Sequence, residues 1–252
     1  MAKSLKSCVV IPAYNAAKTL GALIRHIRQL KLDAVVVNDG STDDTARVAA
    51  ASGALVISHL ANHGKGVAIR SGFAFAVETG YDAVVTMDGD GQHDPAELPR
   101  LLEEAARDGV AIVVGHRVQE RWRMPRIRRW TNQVMSGIVS WLTRQDIPDS
   151  QCGFRVIRRQ VLEQMRLSSR HFDIETELLL AASRAGWRVS SIPIRTIYEH
   201  HPSHIRPVVD GFRFVRLVLR YLVAPPRIER AHGPTTWLSH QEVRPNTDGE
   251  IG

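Results

Sequence analysis

Asp88, Asp90 and Gln92 alternate with Gly89 and Gly91 in the run TMDGDGQHDP. At the end of an extended strand, alternate side chains share one face, so two carboxylates and an amide can converge on one point. Oxygen donors of this kind suit a hard divalent ion, Mg2+ or Mn2+, that keeps positions open for phosphate oxygens. The glycines permit close backbone approach by a diphosphate. An acidic turn in which Asp94 merely caps the next helix accounts for the same residues without a ligand, and the run alone does not decide.

The elements that must position this run alternate short β-branched stretches with helical patterns, as α/β folds with a mostly parallel, Rossmann-like sheet do. Strands are expected at Cys8–Ile11, stopped by Pro12, and at Ala34–Val37, Leu55–Ile57, Ala83–Thr86 and Val110–Val114. Helices are expected over Ala16–Gln29, where Leu20, Leu23, Ile24 and Ile27 share a face, and from a cap at Thr42 or Asp43 to Ala51. Two more follow, over Gly64–Thr79 and from Asp94-Pro95 to about Gly109. Ligands in such sheets bind beyond the carboxyl ends of the strands. Those ends also carry Pro12-Ala13-Tyr14-Asn15, Asn38-Asp39-Gly40-Ser41 and Asn62-His63-Gly64-Lys65-Gly66, so polar loops should gather along one edge.

The character of the chain changes after Gly115. Arg117, Arg121, Arg123, Arg126, Arg128 and Arg129 crowd around Trp122, Pro125 and Trp130, a basic loop leading into a helix over about Ile127–Thr143. A strand at Phe154–Ile157, a helix over Phe172–Ala185, a strand over Arg188–Tyr198 and an amphipathic helix over Val208–Val223 follow. From Ala224 onward the chain is rich in proline, glycine and polar residues and reads as a flexible tail, which leaves residues 1–223 as the folded domain.

Composition narrows the classes. Across 252 residues, 33 Lys and Arg face 26 Asp and Glu, a formal +7 that points to phosphate-bearing partners or an anionic membrane surface. Cys8 and Cys152 alone make no disulfide framework, and a reducing, cytoplasmic setting is expected. The N-terminal apolar run is too short for a signal-peptide core, and no stretch reaches the ~18 apolar residues of a spanning helix. Secreted, integral-membrane and fibrous readings are therefore disfavoured.

IPAYNAAKTL, VVVNDGSTDDT, NHGKGVAIRSGFAFA and TMDGDGQHDP together resemble glycosyltransferase family 2, in its dolichol-phosphate mannosyltransferase-like, polyprenyl-phosphate glycosyltransferase branch. The likeness runs from about Cys8 to Arg220. It implies a GT-A fold and a metal-dependent, inverting transfer from a nucleotide-diphosphate sugar, GDP-mannose or a UDP-hexose, to a polyprenyl phosphate. By this resemblance Pro12, Tyr14, Asn15 and Asp39 bind the nucleoside, with Asp39 accepting from a base N–H. Asp88, Asp90 and Gln92 match the metal and diphosphate site, and residues 1–115 form the donor half. Where relatives carry a ribose-binding glutamate, this chain has Ala16. Lys65 opens a helix whose N–H groups and ammonium can meet phosphate, although a solvated lysine is the plain alternative.

The resemblance assigns the acceptor side to residues 116–205. Gly115-His116-Arg117, Ile127-Arg128-Arg129 and Asp149-Ser150-Gln151-Cys152-Gly153-Phe154-Arg155 match its arginine and Gly-Phe-Arg stations. Donor diphosphate and acceptor phosphate bring at least three negative groups into one cleft, so Arg117 with Arg128 or Arg129 is expected to neutralise them. Asp149 orients the acceptor or acts as base, unless it is only a turn residue. Where relatives carry an arginine followed by a Gly-x-Ser-Lys stretch, this chain has Tyr198 and His204, so His204, Arg206 or Arg195 takes over donor-phosphate contacts.

Arg213, Arg216 and Arg220 follow helical spacing beside a stripe of Phe212, Val215, Leu219 and Leu222. The plain reading packs that stripe on the sheet; the sharper one lays it on anionic lipid, making the protein peripheral on the cytoplasmic membrane face. The remaining histidines and the tryptophans call for no special role. A hydroxyl acceptor in glycan or glycolipid synthesis is the main alternative function. A sugar-nucleotide-forming nucleotidyltransferase needs an arginine-bearing glycine loop after the first strand, and IPAYNAAKT has none. A nucleic-acid-binding module explains the charge but not carboxylates at a strand end.

Overall fold

The computed structural model describes residues 5–117, 126–197, 207–223 and 244–245. Its elements run β1 (Ser7–Ala13), α1 (Ala17–Gln29), β2 (Asp33–Asn38), α2 (Thr45–Ala51), β3 (Leu55–Ser58), α3 (Lys65–Glu78) and β4 (Ala83–Thr86). A 3-10 turn (Pro95–Glu97) leads into α4 (Leu98–Ala105), followed by β5 (Val110–Arg117), α5 (Arg126–Thr143), β6 (Arg155–Arg158) and α6 (Arg159–Gln164). The described elements end with α7 (Ile174–Arg184), β7 (Arg188–Ile194), α8 (Pro207–Val223) and β8 (Arg244–Pro245).

One sheet carries them in the order β7-β5-β6-β4-β1-β2-β3-β8. The β4-β1-β2-β3 stretch is parallel, as expected, but β6 lies antiparallel between β4 and β5, and β8 runs antiparallel to β3. β1 sits centrally with its Cys8–Ile11 run buried on both faces, which is why it reads as continuous apolar residues rather than an alternation. Its neighbours β4 and β2 are each reached by a helical crossover, so the crevice beyond the ends of β1, β2 and β4 is where a ligand belongs.

Several boundaries differ from the sequence reading, each for a local reason. Pro12 does not stop β1. Pairing with β4 ends at Val10–Thr86 while pairing with β2 continues to Ala13–Asn38, and Pro12 faces the β4 side, where no ladder bond remains to lose. α2 starts at Thr45, because the Asp43 carboxylate accepts the Thr45 N–H at 3.0 Å and caps from one residue further out. Asp94 does cap, accepting from Ala96 N at 2.9 Å, but the expected single helix begins as the 3-10 turn. The six-residue α6 follows β6 with no intervening turn, and the sequence reading has no helix there.

α3 is buried almost all round. Its Gly72 faces the Val10 side chain, where a Cβ would fall 2.3 Å from a methyl, so the helix lies directly on β1. Among the described side chains of α8, Phe214 and Leu217 are buried, and Leu217 and Tyr221 line a small crevice with Glu177 and Leu180 of α7. The stripe expected on the sheet, Phe212, Val215, Leu219 and Leu222, faces solvent instead. Of the expected tail, Arg244–Pro245 pairs with β3 at Ile57–Ser58, and its other residues lie outside the described ones. Among the described residues no helix is long and apolar enough to cross a membrane.

Candidate active site

The loops after β1 and β2 are laced together. Asn15, in a left-handed backbone conformation (φ 52°), accepts the Thr42 N–H at 2.9 Å on its side-chain oxygen and donates its own N–H to Ser41 Oγ at 3.0 Å. Asn15 therefore shapes the loop after β1, while the neighbouring Tyr14 stands exposed. Ala16 gives its N–H to Thr45 Oγ1 at 2.8 Å.

Asp39 lies buried beyond β2 and is the anchor of the next loop. Its Oδ1 meets His59 Nδ1 at 2.7 Å and accepts His63 N–H at 3.0 Å, and its Oδ2 accepts Gly64 N–H at 2.7 Å. Burial raises the carboxyl's affinity for a proton, but the His59 bond and the two backbone N–H groups outweigh it and hold Asp39 below the usual carboxylate range. The far nitrogen of His59 reaches Ser71 Oγ at 2.9 Å, so a buried chain fixes the carboxylate from behind. Gly64 sits at φ 97°, a conformation that aims its N–H at Asp39 and that a side chain would strain. Sequence reasoning missed His59, because only the fold sets it behind Asp39.

Around the DGDGQ run the structure brings the two halves together. Lys65 Nζ lies 2.6 Å from Asp88 Oδ1 and 2.7 Å from Glu175 Oε1, and 5.0 Å over the Phe172 ring. It is thus neither a solvated lysine nor yet a phosphate ligand. Burial works against its charge, yet Asp88 and then Glu175 hold it above the ordinary lysine range. Asp88 is itself held low despite burial, chiefly by Lys65, with His93 and Arg117 adding to it. Asp90 Oδ1 accepts the Gln92 N–H at 3.0 Å, and Gln92 O accepts Ile197 N–H at 2.8 Å, which ties the run to the segment after β7. Gly89 O accepts Thr19 Oγ1–H from α1 at 2.5 Å.

The acceptor-side residues form a second cluster. Arg117, at the end of β5, grips Asp149 with a fork: Nε to Oδ2 at 2.7 Å and Nη2 to Oδ1 at 2.9 Å. Asn132 of α5 donates to the same Oδ1 at 3.1 Å. Burial raises the Asp149 pKa less than Arg117 and Asn132 lower it, so the group is an ionised holder of Arg117 rather than a poised base. Arg155 is fully buried and donates to Cys152 O at 2.8 Å, Ser150 O at 2.7 Å and Glu175 O at 2.5 Å. It is a girder joining the Asp149–Gly153 loop to the start of α7, not a phosphate ligand. Gly153 permits a close approach: a Cβ there would meet Asp88 Oδ2 at 2.7 Å and Glu175 Oε1 at 2.9 Å. Arg129 is half-buried near the start of α5; the Arg128 side chain, Arg121, Arg123, Tyr198, His204 and Arg206 lie outside the described residues.

Asp88, Asp90 and Gln92 bring two carboxylates and an amide oxygen to one loop, donor chemistry that fits a hard divalent ion. Among the described residues no three His, Cys, Asp or Glu side chains close around an ion by themselves.

The fold is GT-A. The chain superposes on mannosyl-3-phosphoglycerate synthase from Rubrobacter xylanophilus with a TM-score of 0.73, at 23% identity, covering 86% of this chain and 74% of that one. It also matches glucosyl-3-phosphoglycerate synthase from Mycobacterium tuberculosis, crystallised with Mn2+ and UDP, at a TM-score of 0.68 and 22% identity over 89% and 81% of the two chains.

The family model for Glycosyl transferase family 2 matches residues 8–166, and the chain belongs to that family. Among named relatives, the polyprenol monophosphomannose synthase of Mycolicibacterium smegmatis is 30% identical over 75% of this chain and 76% of its own. The UDP-N-acetylglucosamine–dolichyl-phosphate N-acetylglucosaminyltransferase of Methanococcus voltae is 28% identical over 84% and 94%, and the undecaprenyl-phosphate mannosyltransferase of Micrococcus luteus 28% over 75% and 83%. These relatives carry the names of the branch that the motifs resemble.

Proposed function

We propose that this glycosyltransferase moves a hexose from a nucleotide-diphosphate sugar to a polyprenyl phosphate at a membrane surface, with Mg2+ or Mn2+ and with inversion at the anomeric carbon. The observation that carries the reading is the meeting of the two clusters at Asp88: its Oδ1 lies 2.6 Å from Lys65 Nζ, on the donor side, and its Oδ2 abuts Gly153, in the loop whose Asp149 grips Arg117 on the acceptor side. The names of the relatives supply the acceptor class.

Asp39 accepts from the base edge while His59 and the loop N–H groups hold it in place. Asp88, Asp90 and Gln92 would hold the ion, which, when bound, neutralises the leaving diphosphate. An oxygen of the acceptor phosphate attacks the anomeric carbon from the face opposite the diphosphate; the bond to the diphosphate oxygen breaks, and its electron pair leaves with the nucleoside diphosphate. A phosphate nucleophile is already ionised near neutral pH, so no base is required of Asp149. Asp149 instead fixes the plane of the Arg117 guanidinium against which the acceptor phosphate sits, with Arg128 or Arg129 adding charge. His204 and Arg206 are assigned to the donor phosphates on the resemblance alone.

Membrane contact falls to the two exposed apolar stripes. On α8, Phe212 (70% exposed), Val215, Leu219 and Leu222 are bordered by Arg216 and Arg220, and on α5 the exposed Trp130, Val134 and Trp141 (75%) share a face. Apolar side chains beside arginine, with tryptophan at the margin, suit the headgroup boundary of an anionic membrane.

The test is a screen of GDP- and UDP-sugars against a short-chain polyprenyl phosphate, with Mn2+ or with chelator. Nucleoside diphosphate release that needs both metal and acceptor is expected for at least one donor. Metal-independent turnover, or none with any donor, contradicts the reading.

A further inference from the structure

Lys65 and Glu175 enter no step above, yet they surround the first carboxylate of the metal site. Asp88 Oδ1 lies 2.6 Å from Lys65 Nζ, a direct ion pair at the carboxylate assigned to the metal. Glu175 Oε1 lies 2.7 Å from the same nitrogen, and Asp88 and Glu175 carboxylate oxygens both fall within 2.9 Å of the Cβ position that Gly153 leaves empty. Two carboxylates thus converge on one point, and one ammonium serves both. The three groups differ in mobility. Glu175 is fixed at the start of α7, where its carbonyl is gripped by Arg155; Asp88 sits in the loop; Lys65 reaches in on a flexible stem from the start of α3.

We propose that Lys65 is the resident cation of Asp88, and that a divalent ion reaches that carboxylate by displacing the ammonium towards Glu175. Lys65 and Glu175 are then positioning residues. The ammonium keeps Asp88 aimed while no metal is bound, and Glu175 receives the ammonium when metal arrives. An incoming diphosphate draws Lys65 the same way, so metal and nucleotide favour each other's binding beyond their direct contact. The inference rests on the metal reading of Asp88, Asp90 and Gln92.

The experiment titrates Mn2+ into the full chain by calorimetry or by loss of the free-ion EPR signal, with and without GDP or UDP. Lys65→Met, which leaves two carboxylates facing one point, should tighten Mn2+ binding without nucleotide by about tenfold. It should also shrink the factor by which nucleotide tightens Mn2+. Glu175→Gln, which leaves Lys65 wholly on Asp88, should weaken Mn2+ binding, and Lys65→Arg should stay near wild type. A merely structural ion pair gives loss in both halves rather than opposite signs. Unchanged or weaker Mn2+ binding by folded Lys65→Met overturns the inference and leaves the metal site standing. Should that variant not fold, Glu175→Gln decides alone, and undiminished Mn2+ affinity there overturns it. A wild-type chain that binds no Mn2+ with either nucleotide overturns the metal site and this inference together.

Discussion

Asp39 and Asp90 are both carboxylates at strand ends, but the structure gives them different tasks and so different losses. Asp90→Asn removes a charge from the metal loop while keeping an acceptor for the Gln92 N–H. It should abolish transfer, leave the melting temperature near wild type, and remove the Mn2+ dependence of donor binding. Metal-dependent turnover by the folded variant would refute the assignment. Asp39→Ala should instead weaken nucleotide binding and relax base preference, leaving pyrophosphate binding alone; equal loss for both ligands counts against Asp39 as a base reader. Asp149 gives a pH dependence. Its folded pKa is depressed, so its stabilisation is full above the unfolded value of about 3.9 and is lost as pH falls through the folded one. Asp149→Asn should therefore cost about 3 kcal/mol near neutrality, and its deficit should narrow in acid. A deficit that stays constant from neutral to acid pH contradicts the ion pair.

At the scale of elements, the site depends on how closely the Asp149–Gly153 loop, β4 and α7 approach. Gly153→Ala would put a methyl within 2.9 Å of Asp88 and Glu175 oxygens. Neither carboxylate can retreat without leaving Lys65, so the variant should lose metal-dependent turnover and melt lower, read by activity and thermal unfolding; wild-type values in both would show that the crowding is relieved at no cost. This junction also marks where the sequence stops being informative. Asp88, Asp90 and Gln92 stood out as a local pattern, but β4 ends at Thr86 and the run folds as a turn with Gly91 at φ 77°, not as the extended strand end that alternation implied. The helical face of α1 was legible because Leu20, Leu23, Ile24 and Ile27 repeat at the right spacing. Glu175 was not, because its partner Lys65 is 110 residues away and IETE reads as an ordinary acidic helix start. Arg155 was legible as part of a motif but not in its task, since a buried girder and a phosphate ligand use the same residue type. Pro12 misled because its cost depends on which neighbouring strand has already ended.

For the whole molecule, the proposed function joins a donor site at the sheet edge to a surface that meets lipid. The stripe on α8 was visible in the sequence, but which side of the helix the protein covers was decided by Phe214, which is buried, and Leu217, which meets Glu177 and Leu180 of α7. Phe212→Ser with Leu219→Ser changes only exposed positions, so binding to anionic liposomes should fall while melting temperature and turnover on a short, soluble acceptor hold. Replacing Arg216 and Arg220 together should make the liposome binding that remains less sensitive to salt, because each exposed arginine contributes ~1 kcal/mol through screened attraction. Liposome binding equal to wild type in both variants would place the membrane surface elsewhere. The central claim is that the acceptor is a phosphate. It is tested most directly by offering the enzyme, with its donor and Mn2+, equal amounts of a short polyprenyl phosphate and the matching polyprenol, and identifying the product by mass spectrometry. A sugar joined through a single phosphate to the prenol, with no glycoside of the free alcohol, is the predicted result. Transfer to the alcohol, or to a sugar hydroxyl while the polyprenyl phosphate is ignored, would contradict the account.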